Sequence, residues 1–403
     1  MKRIVAFLLC AVLCLSLASC GNAKKDENST NREADKAFLS AQMDFAASLF
    51  RLVAEEDGEN VLISPLSVMI ALAMAANGAE EETLLQMEKA LGGIPVEALN
   101  EYLSHYLENL PSGEDDKLHV ANAIWTKKDA LSVKKSFLEK NDVYYDAAVY
   151  ERPFDDDTVC EVNEWVREHT DGMIDRLIDE IDPDLLMILA NAVCFDAAWE
   201  TPYAESDVQD CDFANADGST VTVDMMYSRE TRYLSDKNTT GFIKDYVDGN
   251  YQFVALLPDE GVDIEDYISS LTAKKIENLL SSEKTDVVRA GLPKFEYDFD
   301  ISLSEILMAM GMEDAFLPSQ ANFNGISETP VFIGNVIHKT FISVKEDRTK
   351  AAAVTGVLTY GTSVQTKPIK PKEVILDRPF VYMIVDGETK LPIFIGAVTS
   401  IEK

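Results

Sequence analysis

Apolar residues recur at helical spacing through the first part of the chain and at strand spacing from Leu185 onward, so the sequence predicts helices first and strands later. Phe38, Ala41, Phe45, Leu49 and Leu52 fall on one helical face. Ser64-Pro65 reads as an N-cap followed by proline at the first helical position. It opens a helix over 66–76 that is apolar nearly all round and stops at Asn77-Gly78; such a helix belongs inside a large core. Another helix halts at Gly92-Gly93, and helical spacing returns over 133–145 and 159–169.

Residues 185–195 form an apolar run broken only by Asn191, the pattern of a strand buried on both faces. A buried amide without partners costs about 1–3 kcal/mol, so Asn191 is expected in a polar network. Later strands are predicted over 221–227, 251–257, 287–297, 331–337, 340–344, 380–385 and 393–398. No repeat or linker divides the chain, and the order of elements gives one α+β domain over 36–403.

The N-terminus is different. Lys2 and Arg3 precede an apolar run over 4–17, which reads as a secretion signal covering residues 1–19 and is too short for a comfortable membrane span. Past it, no segment is uniform and long enough to cross a bilayer. Leu17-Ala18-Ser19-Cys20 resembles the bacterial lipoprotein signal, which implies a lipidated Cys20 as mature N-terminus, tethered outside the cytoplasm to the membrane surface or otherwise secreted. Residues 20–35, polar and charged, are expected to be a flexible stalk.

The chain has 36 basic and 70 acidic side chains, a formal net charge of −34, and this argues against nucleic acid as a partner. Cys10 and Cys14 lie in the signal; Cys160, Cys194 and Cys211 are too few and too scattered for a disulfide framework, and Cys194 reads as inert packing inside a strand. His105, His119, His169 and His338 show no metal-ligand spacing, and no nucleophile elbow or phosphate loop occurs. No cofactor, metal or catalytic residue is expected, which argues against a lipoprotein enzyme or solute-binding protein.

Several separate segments resemble the serpin family in order and spacing. They are Asn60-Val-Leu-Ile-Ser64-Pro65-Leu-Ser67, Leu189-Ala-Asn191-Ala-Val-Cys-Phe195-Asp-Ala-Ala-Trp199-Glu200, Leu292-Pro293-Lys294-Phe295, Phe323-Asn324-Gly325-Ile326, Val336-Ile337-His338-Lys339 and Arg378-Pro379-Phe380. The resemblance implies a serpin fold: a single large domain with N-terminal helices, large mixed sheets and an exposed reactive-centre loop at about 346–373. It implies that Ser64, Ser67, Asn191 and His338 form a shutter under the main sheet, and that Trp199, Lys294 and Glu346 form the breach at its upper end.

The hinge of that loop would be Glu346, Asp347, Arg348, Thr349, Lys350, Ala351, Ala352 and Ala353. From Thr349 to Gly361 alternate residues are small or modest, so in a strand one face could be buried without bulk or charge, and no proline interrupts 349–365. The family mechanism makes such a protein a suicide substrate: a serine protease forms an acyl-enzyme on the loop, and the loop inserts into the main sheet before water can release the enzyme. The alternative is a non-inhibitory surface binding protein whose loop is only a substrate. Arg348, standing where inhibitory members usually have glycine, favours it; Lys350, in place of a usual glutamate, is a second departure from the family pattern.

Counting from Glu346 places the scissile bond at Thr362-Ser363, with Tyr360-Gly361 as second choice. Thr362 suits an elastase-like or subtilisin-like protease and Tyr360 a chymotrypsin-like one. Counting back from Arg378-Pro379 points instead near Lys367-Pro368, a bond most serine proteases cleave poorly. The expected partners are one such protease and, through the lipid, a membrane; the protein itself is expected to be a monomer.

Overall fold

The computed structural model describes residues 23–111, 113, 116–347 and 370–402, with 23–35 as backbone. Its first helix, α1 (Ala23–Asp57), buries Phe38, Phe45 and Leu49 on one side, as their spacing requires. It also runs back through the polar segment expected to be a stalk. Residues 23–35 contain neither glycine nor proline, so nothing in their backbone chemistry ends a helix there. By length and composition its part Lys36–Asp57 could cross a membrane, contrary to the reading of the sequence, but this part is mostly buried against the rest of the fold.

Strand β1 (Val61–Ile63) leads into α2 (Pro65–Ala76), whose cap is Ser64: its hydroxyl accepts the Ser67 N–H at 3.3 Å. Every residue of α2 but Ala71 is buried, because the helix packs on strands of two different sheets. It ends against the 323–326 turn, where a β-carbon on Gly78 would lie 2.1 Å from Ile326 Cγ1, so only glycine fits. Helices α3 (Glu81–Ala90), α4 (Val96–Asn109) and α5 (Lys135–Tyr145) follow, α3 stopping before Gly92 at φ +103°.

Two strands lie within this helical half that the sequence pattern does not announce, β2 (Asp116–Lys127) and β3 (Ala148–Arg152). In β2, Asn122 interrupts what would otherwise be a clean inward row of Leu118, Val120 and Ile124. Strand β4 (Met187–Ala197) pairs antiparallel with β2 along its whole length, and β3 lies parallel on the other side of β2. Helix α6 (Asp156–His169) packs its Val162 and Trp165 over Trp125 of β2.

A nine-stranded sheet forms the second layer. Its strands are β1, β5 (Val208–Ala214), β6 (Thr220–Ser235), β7 (Thr239–Asp245), β8 (Tyr251–Pro258), β9 (Lys284–Pro293), β12 (Lys372–Ile375), β13 (Phe380–Asp386) and β14 (Pro392–Val398). The order is β1-β14-β13-β8-β7-β6-β9-β12, with β5 on β6. Strands β10 (Phe295–Ser302) and β11 (Ile337–Val344) pair antiparallel as a separate ribbon.

Three strand expectations need correction. The run 287–297 is not one strand: it breaks at Lys294, whose N–H turns to Asp224 O at 2.9 Å, and β9 and β10 enter different sheets. Residues 331–336 are not a strand; Ile333 donates to Ala315 O and Val336 to Ser304 Oγ, so their backbone is anchored to two short helices, Ser304–Ala309 and Glu313–Phe316, and Phe332 is exposed. Strand β4 begins at Met187, and Met187, Leu189 and Asn191 are only half-buried because β4 is, among the described residues, an edge strand of its three-stranded sheet. Cys194 is buried, 3.4 Å from Met173 Sδ, and burial pushes its thiol up to about 12, which keeps it protonated and unreactive.

Candidate functional site

Strands β4 and β11 face each other without a ladder between them among the described residues. A slot separates them, lined by Phe195, Trp199 and Tyr246 on one side and by Phe341 to Lys345 on the other. Both bordering strands therefore present an edge to the slot, the geometry that accepts an added strand.

Beneath the slot the start of α2 joins both strands. Ser64 donates its backbone N–H to His338 Nε2 at 3.0 Å, which ties α2 to β11 and leaves the imidazole proton on Nδ1. Burial pushes His338 down to about 4, so the ring is neutral and able to accept. The Ser67 hydroxyl donates to Asn191 Oδ1, tying α2 to β4. Ser64, Ser67, Asn191 and His338, expected together from four distant segments, thus meet at one place.

The polar network extends further than the sequence reading foresaw. Asn191 Nδ2 donates to Asn122 Oδ1 at 2.7 Å, and Asn122 Nδ2 donates to Tyr145 O at 2.8 Å. The Tyr145 hydroxyl donates to Asn100 Oδ1 at 2.6 Å, and Asn100 Nδ2 to Asn77 Oδ1 at 2.7 Å. These amides satisfy one another inside the core, where an unpaired one is costly. The signal that could have found Asn122 is its register: it lies directly opposite Asn191 in the β2–β4 ladder.

At the upper end of the slot the chain leaves β11 through Lys345, Glu346 and Asp347. Trp199 Nε1 donates to Lys345 O at 2.9 Å, Tyr203 N to Glu346 O at 2.8 Å and Trp199 N to Asp347 O at 3.3 Å. Lys294 Nζ lies 2.5 Å from Glu346 Oε1 and 3.1 Å from Asp224 Oδ2. Burial works against the Lys294 charge, but the two carboxylates outweigh it and hold its pKa above the usual lysine value. Trp199, Lys294 and Glu346 are brought together as expected.

Arg348, Thr349, Lys350, Ala351, Ala352 and Ala353 lie outside the described residues, as do Tyr360, Gly361, Thr362, Ser363 and Cys20. The chain resumes at Lys370 and enters β12, parallel to β9. Among the described residues no group of histidine, cysteine and carboxylate side chains is arranged to hold a metal.

Fold and site together define a protein in which a three-stranded sheet and a two-stranded ribbon part over a buried helix start, with a segment docked at the mouth of the gap. The family described as Serpin (serine protease inhibitor) matches residues 40–401. An uncharacterized serpin-like protein of Methanosarcina mazei is 31% identical, covering 99% of this chain and 98% of that one. Human alpha-1-antichymotrypsin is 29% identical, covering 98% and 96%. Among solved structures, the thermophilic serpin tengpin in its native state is similar with a TM-score of 0.85 at 45% identity, covering 90% of this chain and 94% of that one. The chain belongs to the serpin family, and its α+β fold is the single-domain serpin fold. Most members of that family are protease inhibitors.

Proposed function

We propose that this protein is a suicide-substrate inhibitor of serine proteases, and that the open slot between β4 and β11 is where its reactive-centre loop inserts. The observation that carries this reading is the pairing of two free strand edges with a loop origin, 345–347, docked at one end of the gap. A protease that cleaves near Thr362-Ser363 or Tyr360-Gly361 forms an acyl-enzyme through its own serine. Some fifteen residues of freed loop then enter the slot as a new strand, and at roughly 1 kcal/mol per added hydrogen bond the gain is on the order of 10 kcal/mol. Insertion must widen the gap between β4 and β11 over the Ser64–His338 and Ser67–Asn191 contacts, with the docked hinge zipping in from the Trp199 end.

The resemblance of Leu17-Ala18-Ser19-Cys20 to a lipoprotein signal supports a further part of the proposal, a lipid-anchored inhibitor facing an elastase-, subtilisin- or chymotrypsin-like protease at the membrane surface. Mixing the chain from residue 21 onward with proteases of those three classes tests the first reading. A complex that survives denaturation, with a released C-terminal peptide whose mass fixes the cleaved bond, is expected; rapid cleavage with no complex from any class overturns it. For the anchor, Cys20→Ser should move the protein from the membrane fraction, and an unchanged fraction contradicts lipidation.

A further inference from the structure

We infer that Lys244 is a positioning residue: its buried ammonium holds the 199–203 ledge on which hinge residues 345–347 dock. The inference rests on the insertion reading for its consequence but not for its geometry. Lys244 lies on β7 with only 2% of its side chain exposed, an unusual place for a lysine. Its Nζ donates to Thr201 O at 2.9 Å and to Glu230 Oε1 at 3.2 Å. The same ammonium sits 4.5 Å from the Tyr203 ring centre and 5.5 Å from that of Trp199.

One cation therefore touches three of the five ledge residues. Two of those three, Trp199 and Tyr203, supply every hydrogen bond described above between the ledge and 345–347. Thr201, between them, contributes the carbonyl that Lys244 grips. Glu230, which faces Lys244, also accepts the Ser228 hydroxyl at 2.6 Å; next along β7, Asp245 takes Arg232 at 2.7 Å and accepts the Glu200 N–H at 3.1 Å through its own carbonyl. The ledge is thus fixed at three successive residues, since Tyr246 bridges Trp199 and stacks on its ring at 4.4 Å, and Lys244 adds the Thr201 carbonyl and the Tyr203 ring. A methionine there would fill the space but could neither hold the Thr201 carbonyl nor place a charge against the two rings.

The test uses the uncleaved full chain and three variants: Lys244→Met, Lys244→Met with Glu230→Gln, and Lys244→Arg. The double variant removes the carboxylate that the single one would leave without its cation. Hydrogen exchange of the Trp199 and Tyr203 amides should rise about tenfold in both methionine variants, while the amides of β13 keep the parent's protection and the arginine variant, which retains a cation, stays near the parent. Parent-like exchange in the methionine variants, or a rise shared equally by β13, overturns the inference. A second readout separates it from the insertion reading. Spontaneous conversion to a form that resists cleavage in 348–369 should also go about tenfold faster in the methionine variants. Faster ledge exchange in variants whose unfolding temperature does not rise on cleavage within 348–369 supports the positioning role of Lys244 and overturns loop insertion instead.

Discussion

His338 accepts the Ser64 N–H at 3.0 Å from a buried site on β11, so the contact that joins the capped helix α2 to one wall of the slot requires a neutral imidazole. An unfolded histidine titrates near 6.5, whereas burial lowers this one to about 4. Between those values the unfolded chain binds the proton that the folded one refuses. Stability from this group is complete above pH 6.5 and is lost as pH falls toward 4, by up to about 3 kcal/mol. Unfolding midpoints measured across this range should fall more steeply for the parent than for His338→Gln, and equal slopes would refute the assignment.

Asn191 bridges Ser67 and Asn122 across the base of the slot. Asn191→Leu keeps the volume but strips two partners of their bonds, at a cost of about 1–3 kcal/mol in resting-state stability. Urea midpoints of the variant and of Asn122→Leu should fall together, and the double variant should cost less than the sum because the two amides share one bond. Strict additivity would show that they act apart.

The fold was legible in the sequence where burial follows chain order. Ser64, Ser67, Asn191 and His338 were readable as a set because each sits in a segment whose pattern resembles the family, and the structure brings them together. Strands β2 and β3 were not readable, since Asn122 interrupts the inward row and β3 alternates only half-buried and exposed residues. The break at Lys294 was hidden for a related reason: apolar alternation continues across it while the backbone changes sheet. Lys244 gave no signal at all, because a lysine in a strand pattern reads as solvent-facing until the rings of Trp199 and Tyr203 are seen around it.

The Lys294 contacts to Glu346 and Asp224 are part exposed, with Lys294 27%, Glu346 32% and Asp224 56% exposed. Solvent screening limits their equilibrium contribution to about 0–1 kcal/mol. Lys294→Met should therefore shift the unfolding midpoint little and yet speed hydrogen exchange at 345–347. Raising salt from about 0.1 M to about 1 M, which shortens the screening length from about 10 Å to about 3 Å, should bring the parent toward the variant. Salt-independent exchange in the parent would exclude the ion pair as the tie.

Arg348 follows the docked residues directly and carries the bulk and backbone restriction that glycine lacks. If the chain traps proteases as proposed, slow insertion lets water release the acyl-enzyme, so Arg348→Gly should raise the fraction of protease trapped per loop cleaved without changing the cleavage rate. An unchanged fraction would mean that the hinge does not limit insertion.

The central claim is that the slot between β4 and β11 takes up the loop. The most direct measurement is to cleave within 348–369 using a protease that does not become trapped, and then compare thermal unfolding and amide exchange of β4 and β11 with the uncleaved protein. An unfolding temperature raised by tens of degrees, with the edge amides of both strands newly protected, is the predicted result. A cleaved protein with the parent's unfolding temperature and exposed strand edges would contradict the account.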